Sequence, residues 1–521
     1  MAAQVPSSFP ELTKAVRDDP DATAHLERLS QRLQYALAKI DKLEEERRLE
    51  RAERFAASSE QSPQFALFNE AEQEAADDAA PADEEATVKV PAHERKVARR
   101  KPLPEDLPHV VVEHDLDERT CGCGTDKVRI GTKKSQQLDV IPAQVFVIEH
   151  HRHSYKCPAC EDAAPETAPM PAQPIPKSNA SPGLLAHVAT AKYVDGLPLY
   201  RQSAQFERIG VDLPRQTLAS HMVRAGELAG PLIERMGEHA RNYDVLQMDE
   251  TRVQVLDEDG RAARSQSWMW VIRGGPPERP VVCFHYDPSR GSTVPVNLLD
   301  SFAGYLQTDG YAAYGQVLAR ESVTGLGCWA HARRRFVKAQ QVQPKGKSSA
   351  KLQQVLFWIG KLYALEQGWQ ALDPDARRRA RQEQAAPILE KIEQWARKQD
   401  VNPQSLLGRA ISYLLGEWPR LKVYLDDGRL AIDNNRVEND IRPFALGRKN
   451  WLFSQSAAGA RSSAALYSLV ETARANRLNP YAYLKFIFTA LPRASTEADI
   501  EALLPWNVDR EALEQLLAPP K

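Results

Sequence analysis

Between Leu26 and about Phe55 the chain contains neither Pro nor Gly, and apolar residues recur at Leu26, Leu29, Leu33, Ala36, Ile40 and Leu43. This 3-4-3-4-3 spacing draws one narrow apolar seam along a charged helix, the pattern of a short coiled coil. The seam fades at Arg47, so a self-association helix is expected over 24–55, with an amphipathic helix packed on its own chain as the alternative. Residues 1–23 are polar, carry Pro6, Pro10 and Pro20, and are expected to be disordered. Residues 56–108 have the pattern of a linker, acidic over 70–85 and basic over 89–101; such blocks are solvated, although a basic arm can touch phosphate.

Farther along, the apolar period changes several times. The stretch LDVIPAQVFVIEHHRHSYK alternates as strands do. It lies between Cys121-Gly-Cys123 and Cys157-Pro-Ala-Cys160. Two close Cys pairs on tight turns can bring four thiolates to one tetrahedral Zn²⁺, so a zinc ribbon carrying one structural ion is expected over 109–163. His150, His151 and His153 are alternative ligands, and a redox C-x-x-C is the competing reading. Cys283 and Cys328 lie apart and are expected as core thiols.

After a Pro-rich spacer at 164–182, residues 183–240 are helical. LPLYRQSAQFERIG followed by VDLPRQTLASHMVRAGE has the spacing of a helix-turn-helix, with Arg215, Gln216, Ser220, His221 and Arg224 on the second helix. Any two helices joined by a Gly turn share that spacing.

Three strand-like runs follow: YDVLQMDETRVQVLD, SQSWMWVIRGG and RPVVCFHYD. Next come a helical segment around 293–303, the short strand YLQTD, and the run VTGLGCWAH leading into a basic helix. Residues 350–425 have helical periodicity, as an insertion within 337–430. A helix resumes from Asp433, KNWLFS has a strand pattern, and 461–490 is helical again. The expected fold class is therefore multidomain α+β. A ribonuclease-H-like α/β core would span 241–336 and 431–475, with a helical tail over 476–521.

Three acids stand at informative places in this order. Asp249 lies within the first strand, Asp309 ends the fourth, and Glu438 occupies the first turns of a helix that Asp433 or Asn434 could cap. Hard oxygen ligands brought to one point suit Mg²⁺ or Mn²⁺. Two such ions can activate a water or a 3′-hydroxyl and stabilise the leaving oxygen of a phosphodiester. Unneutralised carboxylates repel one another, so such a site assembles around cation. Against this, most acids in any chain are solvated, and Glu438 could simply pair with Arg442 at i,i+4.

MDET at 248–251, TDGYAAY at 308–314, CWAHARRRF at 328–336, DNNRVENDIRP at 433–443 and GRKNWLF at 447–453 closely resemble the signatures of DDE transposases of the insertion-sequence-66 family. So do YSLVETARANRLNPYAYL, the coiled coil, SPQFALFNEAE, RRKPLPEDLP and the CGC…CPAC element, in the same order. The resemblance runs from about Leu26 to Pro492. It implies a transposase in which Asp249, Asp309 and Glu438 hold two Mg²⁺ or Mn²⁺ ions. His331 would contact the scissile phosphate or orient a ligand. Arg442, Arg448 and Lys449 would clamp phosphate, Arg333, Arg334 and Arg335 would track the DNA backbone, and Trp451 could stack on a displaced base. The implied partners are double-stranded DNA, both terminal inverted repeats and target, and a second protomer through the coiled coil. Accessory proteins of the same element are potential further partners. Where the family has small residues and an Arg before and after the third acid, this chain reads RVENDIRP, so Asn439 removes a positive charge beside Glu438. A catalytically silent DNA-binding protein, or a nuclease that cuts without joining, are the readings from other classes.

Composition first seems to oppose a nucleic-acid partner, because 68 Lys and Arg against 70 Asp and Glu give a net charge of −2 over 521 residues. The charge is unevenly spread. Residues 1–88 hold 10 basic and 20 acidic residues, leaving 58 basic and 50 acidic in 89–521, a net +8. An acidic arm therefore masks a mildly basic body, which removes the objection without proving DNA binding. No apolar run approaches the roughly 18 residues of a membrane span, the N-terminus lacks a signal peptide's apolar core, and six cysteines in so long a chain fit a reducing cytoplasm.

Overall fold

The computed structural model describes residues 20–54, 87–90, 93–96, 144–156, 164, 166–343 and 349–517. The chain divides into two compact units, residues 81–171 and the remainder. Cys121, Cys123, Cys157 and Cys160 lie outside the described residues.

In the smaller unit, β1 (Thr87–Val90) pairs antiparallel with β2 (His93–Lys96), with Thr87 opposite Lys96. This hairpin falls inside the expected linker; its Thr and Val residues favour extended backbone despite the surrounding charge. A second antiparallel pair joins β3 (Ser154–Tyr155) to β4 (Glu166–Thr167), where the Ser154 and Thr167 hydroxyls meet at 2.7 Å.

The larger unit begins with α1 (Pro20–Arg54). Its seam residues Leu29, Leu33, Ile40 and Leu43 face solvent, with Leu33 61% exposed. Toward its C-terminal end the Glu45 carboxylate accepts the backbone N–H of Leu406 at 2.8 Å. The helix thus touches its own chain near one end while the seam stays uncovered by it.

Four helices follow: α2 (Pro182–Tyr193), α3 (Leu199–Arg208), α4 (Arg215–Leu228) and α5 (Gly230–Arg241). Ser181 caps α2 by accepting the N–H of Leu184, with Pro182 opening the helix. The turn between α3 and α4 depends on Gly210, whose φ of +81° is the left-handed conformation that L side chains resist.

The central sheet is built from β5 (Val245–Asp257), β6 (Gln266–Gly274), β7 (Val281–Asp287), β8 (Gly304–Gln307) and β9 (Val323–Leu326), in the order β7-β6-β5-β8-β9. β6 runs antiparallel to both of its neighbours, β5 and β7, whereas β5, β8 and β9 are parallel. The fourth strand ends at Gln307, so Asp309 lies just beyond it rather than closing it. The helical segment expected around 293–303 is α6 (Thr293–Leu298).

After α7 (Trp329–Gln341) come the helices of the insertion. These are α8 (Ala350–Gly368), α9 (Pro374–Ala380), a π-helical turn at Arg381–Ala385, α10 (Ala386–Arg397) and α11 (Leu406–Leu421). They enclose their own hydrophobic cluster, including Leu352, Ile359, Ile392 and Leu414. Buried Arg381 ties the cluster to the return segment, donating to the carbonyls of Tyr424, Asp427 and Leu430 and pairing with Glu366.

The chain re-enters the main core through α12 (Asn435–Trp451). KNWLFS is not a strand: Asn450 and Trp451 complete α12, and Trp451 packs edge-on to Phe444 at 5.4 Å. Leu452, at φ +65°, ends the helix, and the strand is the following β10 (Ser454–Ser456), parallel to the end of β5.

Next, α13 (Ala457–Ala475) lies along edge strand β7 and satisfies its free backbone groups. The N–H groups of Val282 and Phe284 donate to Thr472 and Ser468, Thr472 returns a bond to the Val282 carbonyl, and Asn476 donates to Pro280. An otherwise exposed sheet edge is thereby closed. The last helices are α14 (Pro480–Ala490), α15 (Glu497–Ala502) and α16 (Arg510–Gln515). Among the described residues, no helix is long and apolar enough to cross a membrane.

Candidate active site

The sheet register decides where two of the three acids lie. Gln247 of β5 pairs directly with Gln307 of β8, and Asp249 and Asp309 each follow two residues later. Parallel neighbours in register carry both acids to the same end of the sheet. The two glutamines also meet through their side chains. Gln247 Nε2 donates to Gln307 Oε1 at 2.7 Å and to the Asp433 carbonyl at 3.0 Å. Gln307 Nε2 in turn donates to the carbonyls of Gly327 and Ala431 at 3.1 and 3.0 Å. One buried amide pair, 6% and 2% exposed, therefore joins both acid-bearing strands to the segments entering α7 and α12.

The third acid is set by the start of α12. The Asp433 carboxylate accepts the N–H of Asn435 at 3.1 Å and the Tyr363 hydroxyl at 2.7 Å. Asn434, at the N-cap position, makes no capping bond with its side chain; its amide oxygen accepts the Cys328 thiol at 2.8 Å. Capping work thus falls to Asp433, because Asn434 is engaged elsewhere. One turn on, Glu438 is 7% exposed. Its partners are His331, with Nδ1 at 3.4 Å from Oε1, and Arg334, at 3.5 Å from Oε2.

The acids act on one another. Burial pushes the Asp249 carboxyl well above its usual range, and the charges of Glu438, Glu250 and Asp309 push it further. Burial also raises Glu438, to about 7, with Asp433 and Asp309 adding to the rise and Arg334 opposing it. Glu250, on the other side of Asp249's strand, is held differently: Arg290 donates two bonds to Oε1, and the Tyr314 hydroxyl donates to Oε2 at 2.6 Å. Asp249 and Asp309 each accept one backbone N–H, from Glu250 and Tyr311, both at 2.8 Å.

Glu438 Oε1 is buried without a hydrogen-bond partner. Three hard carboxylates, one with an orphaned oxygen, fit a divalent cation such as Mg²⁺. The tightest group of ligating atoms among the described residues is nevertheless a different one, namely Cys328, His331 and Glu438, all within 4.8 Å of one another. Asp249 and Asp309 stand outside it.

The remaining candidates separate. Arg333 is 6% exposed, so its side chain does not face solvent as DNA tracking requires. It occupies the buried face of α7, where Ala332 and Phe336 also point inward. Arg334 turns to Glu438, and Arg335 stacks on Tyr413 at 3.9 Å. The three arginines thus take three directions, as a helix imposes on consecutive residues. Arg448 is half-buried and donates to the Arg252 carbonyl, with Thr251 Oγ1 at 3.4 Å. Arg442 is partly buried, whereas Lys449 and Asn439 are exposed. On α4, Arg215, Gln216, Ser220 and Arg224 are exposed, the last three at i, i+4, i+8 on one stripe. His221 is buried against the Ser178 hydroxyl and takes no part in that surface. Sequence reasoning missed Gln247, Gln307 and Cys328 as site elements. The first two had a signal in their matched spacing, each two residues before an acid.

Comparison with known proteins agrees with this architecture. Residues 177–462 match the model described as the transposase IS66 family, and residues 468–506 match the IS66 C-terminal element. Residues 118–161 match the zinc-finger binding domain of transposase IS66, and residues 42–112 match a transposase C homeodomain. The chain is a transposase by descent, and it belongs to the IS66 transposase family. The zinc-finger match supports a structural zinc in the 118–161 segment. Similar curated proteins come from Sinorhizobium fredii (strain NBRC 101917 / NGR234). Uncharacterized protein y4jD is 34% identical over 422 residues, 78% of this chain and 81% of the relative. Uncharacterized protein y4qI is 33% identical over 408 residues, 75% and 74% of the two chains, and y4hP is 28% identical over 498 residues, 91% and 88%.

Two outcomes follow from this geometry. Gln307→Leu, which strips bonds from two buried carbonyls and from Gln247, should lower unfolding free energy by about 1–3 kcal/mol in urea titration. The second concerns protons. Glu438 sits at about 7 in the fold against an ordinary 4.5, so without divalent cation its contribution to stability is full below about 4.5 and is lost as pH rises through about 7. Mg²⁺ favours the ionised form, so its thermal stabilisation should grow over the same window. Glu438→Gln should flatten that growth in paired melting curves.

Proposed function

We propose that the protein is a DDE transposase that binds the terminal inverted repeats of its element, hydrolyses a phosphodiester at each end and joins the exposed 3′-hydroxyl to target DNA. The observation that carries the reading is the electrostatic coupling of Asp249, Asp309 and Glu438, three acids delivered by two parallel strands and a helix start. The strand order, with an antiparallel β7-β6-β5 meander followed by parallel β8 and β9, supports a ribonuclease-H-like core.

In this reading Asp249, Asp309 and Glu438 would hold two Mg²⁺ or Mn²⁺ ions, whose chemistry would be activation of an oxygen nucleophile and stabilisation of the leaving oxygen. The protein's own groups do the rest. Glu438 must lose its proton to become a ligand, and Arg334 at 3.5 Å eases that loss. Tyr311 and Glu250 orient the two aspartates through their backbone N–H groups. His331 lies beside Glu438 and orients it. Arg442, Arg448 and Lys449 belong to the same helix as Glu438 and serve as phosphate contacts along it.

DNA recognition is assigned to the exposed stripe of α4, with Arg215, Gln216 and Arg224, and to a zinc ribbon ligated by Cys121, Cys123, Cys157 and Cys160, which the 118–161 match supports. Two ends must be held together. The uncovered seam of α1 suits pairing with a second protomer, since a row of solvent-facing Leu and Ile is costly unless buried.

With an oligonucleotide duplex of the element's own end, Asp249→Asn should abolish Mg²⁺-dependent cleavage and joining while leaving end binding within about twofold. Unchanged cleavage in that variant would refute the triad, and cleavage without joined product in the parent protein would favour a nuclease. Separately, Leu33→Asp with Ile40→Asp should halve the mass measured by light scattering; an unaltered mass would remove α1 as the pairing element.

A further inference from the structure

The group formed by Cys328, His331 and Glu438 is chemically distinct from a magnesium centre. Cys328 stands at the N-cap of α7 and His331 one turn along it, while Glu438 comes from the first turn of α12. Their ligand atoms lie within 4.8 Å of one another. His331 Nδ1 and Glu438 Oε1 are 3.4 Å apart and both are buried; neither atom makes a hydrogen bond of good geometry, and the Asn434 side chain lies beside the imidazole. Two buried acceptors this close are costly unless a proton or a metal cation lies between them. A neutral imidazole offers one ring nitrogen lone pair to a metal, and Nδ1 is the nitrogen nearest Glu438. A sulfur, a nitrogen and a carboxylate oxygen form a borderline-soft set, which suits Zn²⁺ and not the all-oxygen preference of Mg²⁺.

We infer that Cys328, His331 and Glu438 form a second metal site that takes Zn²⁺ and, by capturing the third acid, switches the magnesium centre off. The switch rests on the proposed triad, whereas the zinc site itself does not. Two features oppose binding and set its strength. The thiol now donates to Asn434 Oδ1 at 2.8 Å, a bond that metal binding would break. Forming the S–Zn bond therefore breaks the S–H bond and releases one proton to solvent. Arg334 repels a cation, but it lies on Oε2, the carboxylate oxygen turned away from His331. Thiolate and carboxylate together neutralise the ion's two charges, and partly exposed His331 gives it a route in.

The test uses the full-length chain equilibrated with Zn²⁺ and desalted, with bound zinc counted by mass spectrometry. The wild type should retain one equivalent more than Cys328→Ser, whose hydroxyl can keep the bond to Asn434, and one more than His331→Asn. Both variants are compared at matched melting temperature. Asp249→Asn should keep the extra equivalent, so loss of the triad reading would leave this count intact. Equal zinc in the wild type and in both site variants would overturn the site. An extra equivalent that disappears in Asp249→Asn but survives in Cys328→Ser would overturn it too, because the ion would then sit at the aspartates. For the switch, Mn²⁺ bound at the triad is followed by electron paramagnetic resonance. One added equivalent of Zn²⁺ should weaken Mn²⁺ binding at least tenfold in the wild type and leave it unmoved in Cys328→Ser. Zinc that binds without releasing Mn²⁺ would overturn the switch.

Discussion

The buried amide contact between Gln247 and Gln307 is the point on which the site depends. Four chain segments separated by up to 186 residues meet there: β5, β8, the approach to α7 and the approach to α12. A polar pair in a sheet interior is tolerated only when its donors are used, and here each amide nitrogen makes two or more bonds. The constraint is geometric as well as energetic. Because Gln247 and Gln307 share a register, the acids two residues beyond them share an end of the sheet, and no side-chain adjustment could substitute for that pairing.

Around this fixed frame the electrostatics are deliberately unfinished. Glu250 is satisfied by Arg290 and Tyr314, and Asp440 by Arg273, so the fold is able to neutralise buried acids where it needs to. Asp249 is left with its carboxyl pushed upward by burial and by the charges of Glu438, Glu250 and Asp309, and Glu438 by burial with Asp433 and Asp309 adding to it. An unfinished acid beside finished ones is the arrangement expected where a cation, and not a side chain, completes the charge. The helical insertion contributes directly, since Tyr363 of α8 fixes Asp433 and Tyr413 of α11 donates to the Asp309 carbonyl. Its helices therefore buttress two of the three acids and are more than a spacer between parts of the core.

Much of the fold was legible because local patterns matched tertiary needs. The meander over 245–287 alternates and ends in turn residues, and Ser181-Pro182 and Asn479-Pro480 announce helices that begin where such pairs favour. KNWLFS misled because its aromatic content signals a strand, yet packing of Trp451 on Phe444 holds the segment in helix and delays the strand to Ser454. Arg333-Arg334-Arg335 misled in a different way. Composition marks a basic cluster, but a helix points consecutive residues in three directions, and one of them is inward.

The sequence alone determined the helical and strand periods and the membership in one family, and it singled out three acids as the candidates for a site. What it could not determine is which polar groups find partners. Asn434 lost its capping role to Asp433 because Cys328 lies opposite it, and Glu438 met His331 and Arg334 rather than Arg442 four residues away. These outcomes turn on contacts between residues about a hundred positions apart. Burial then magnifies them, because a group removed from water is governed by the few neighbours left to it.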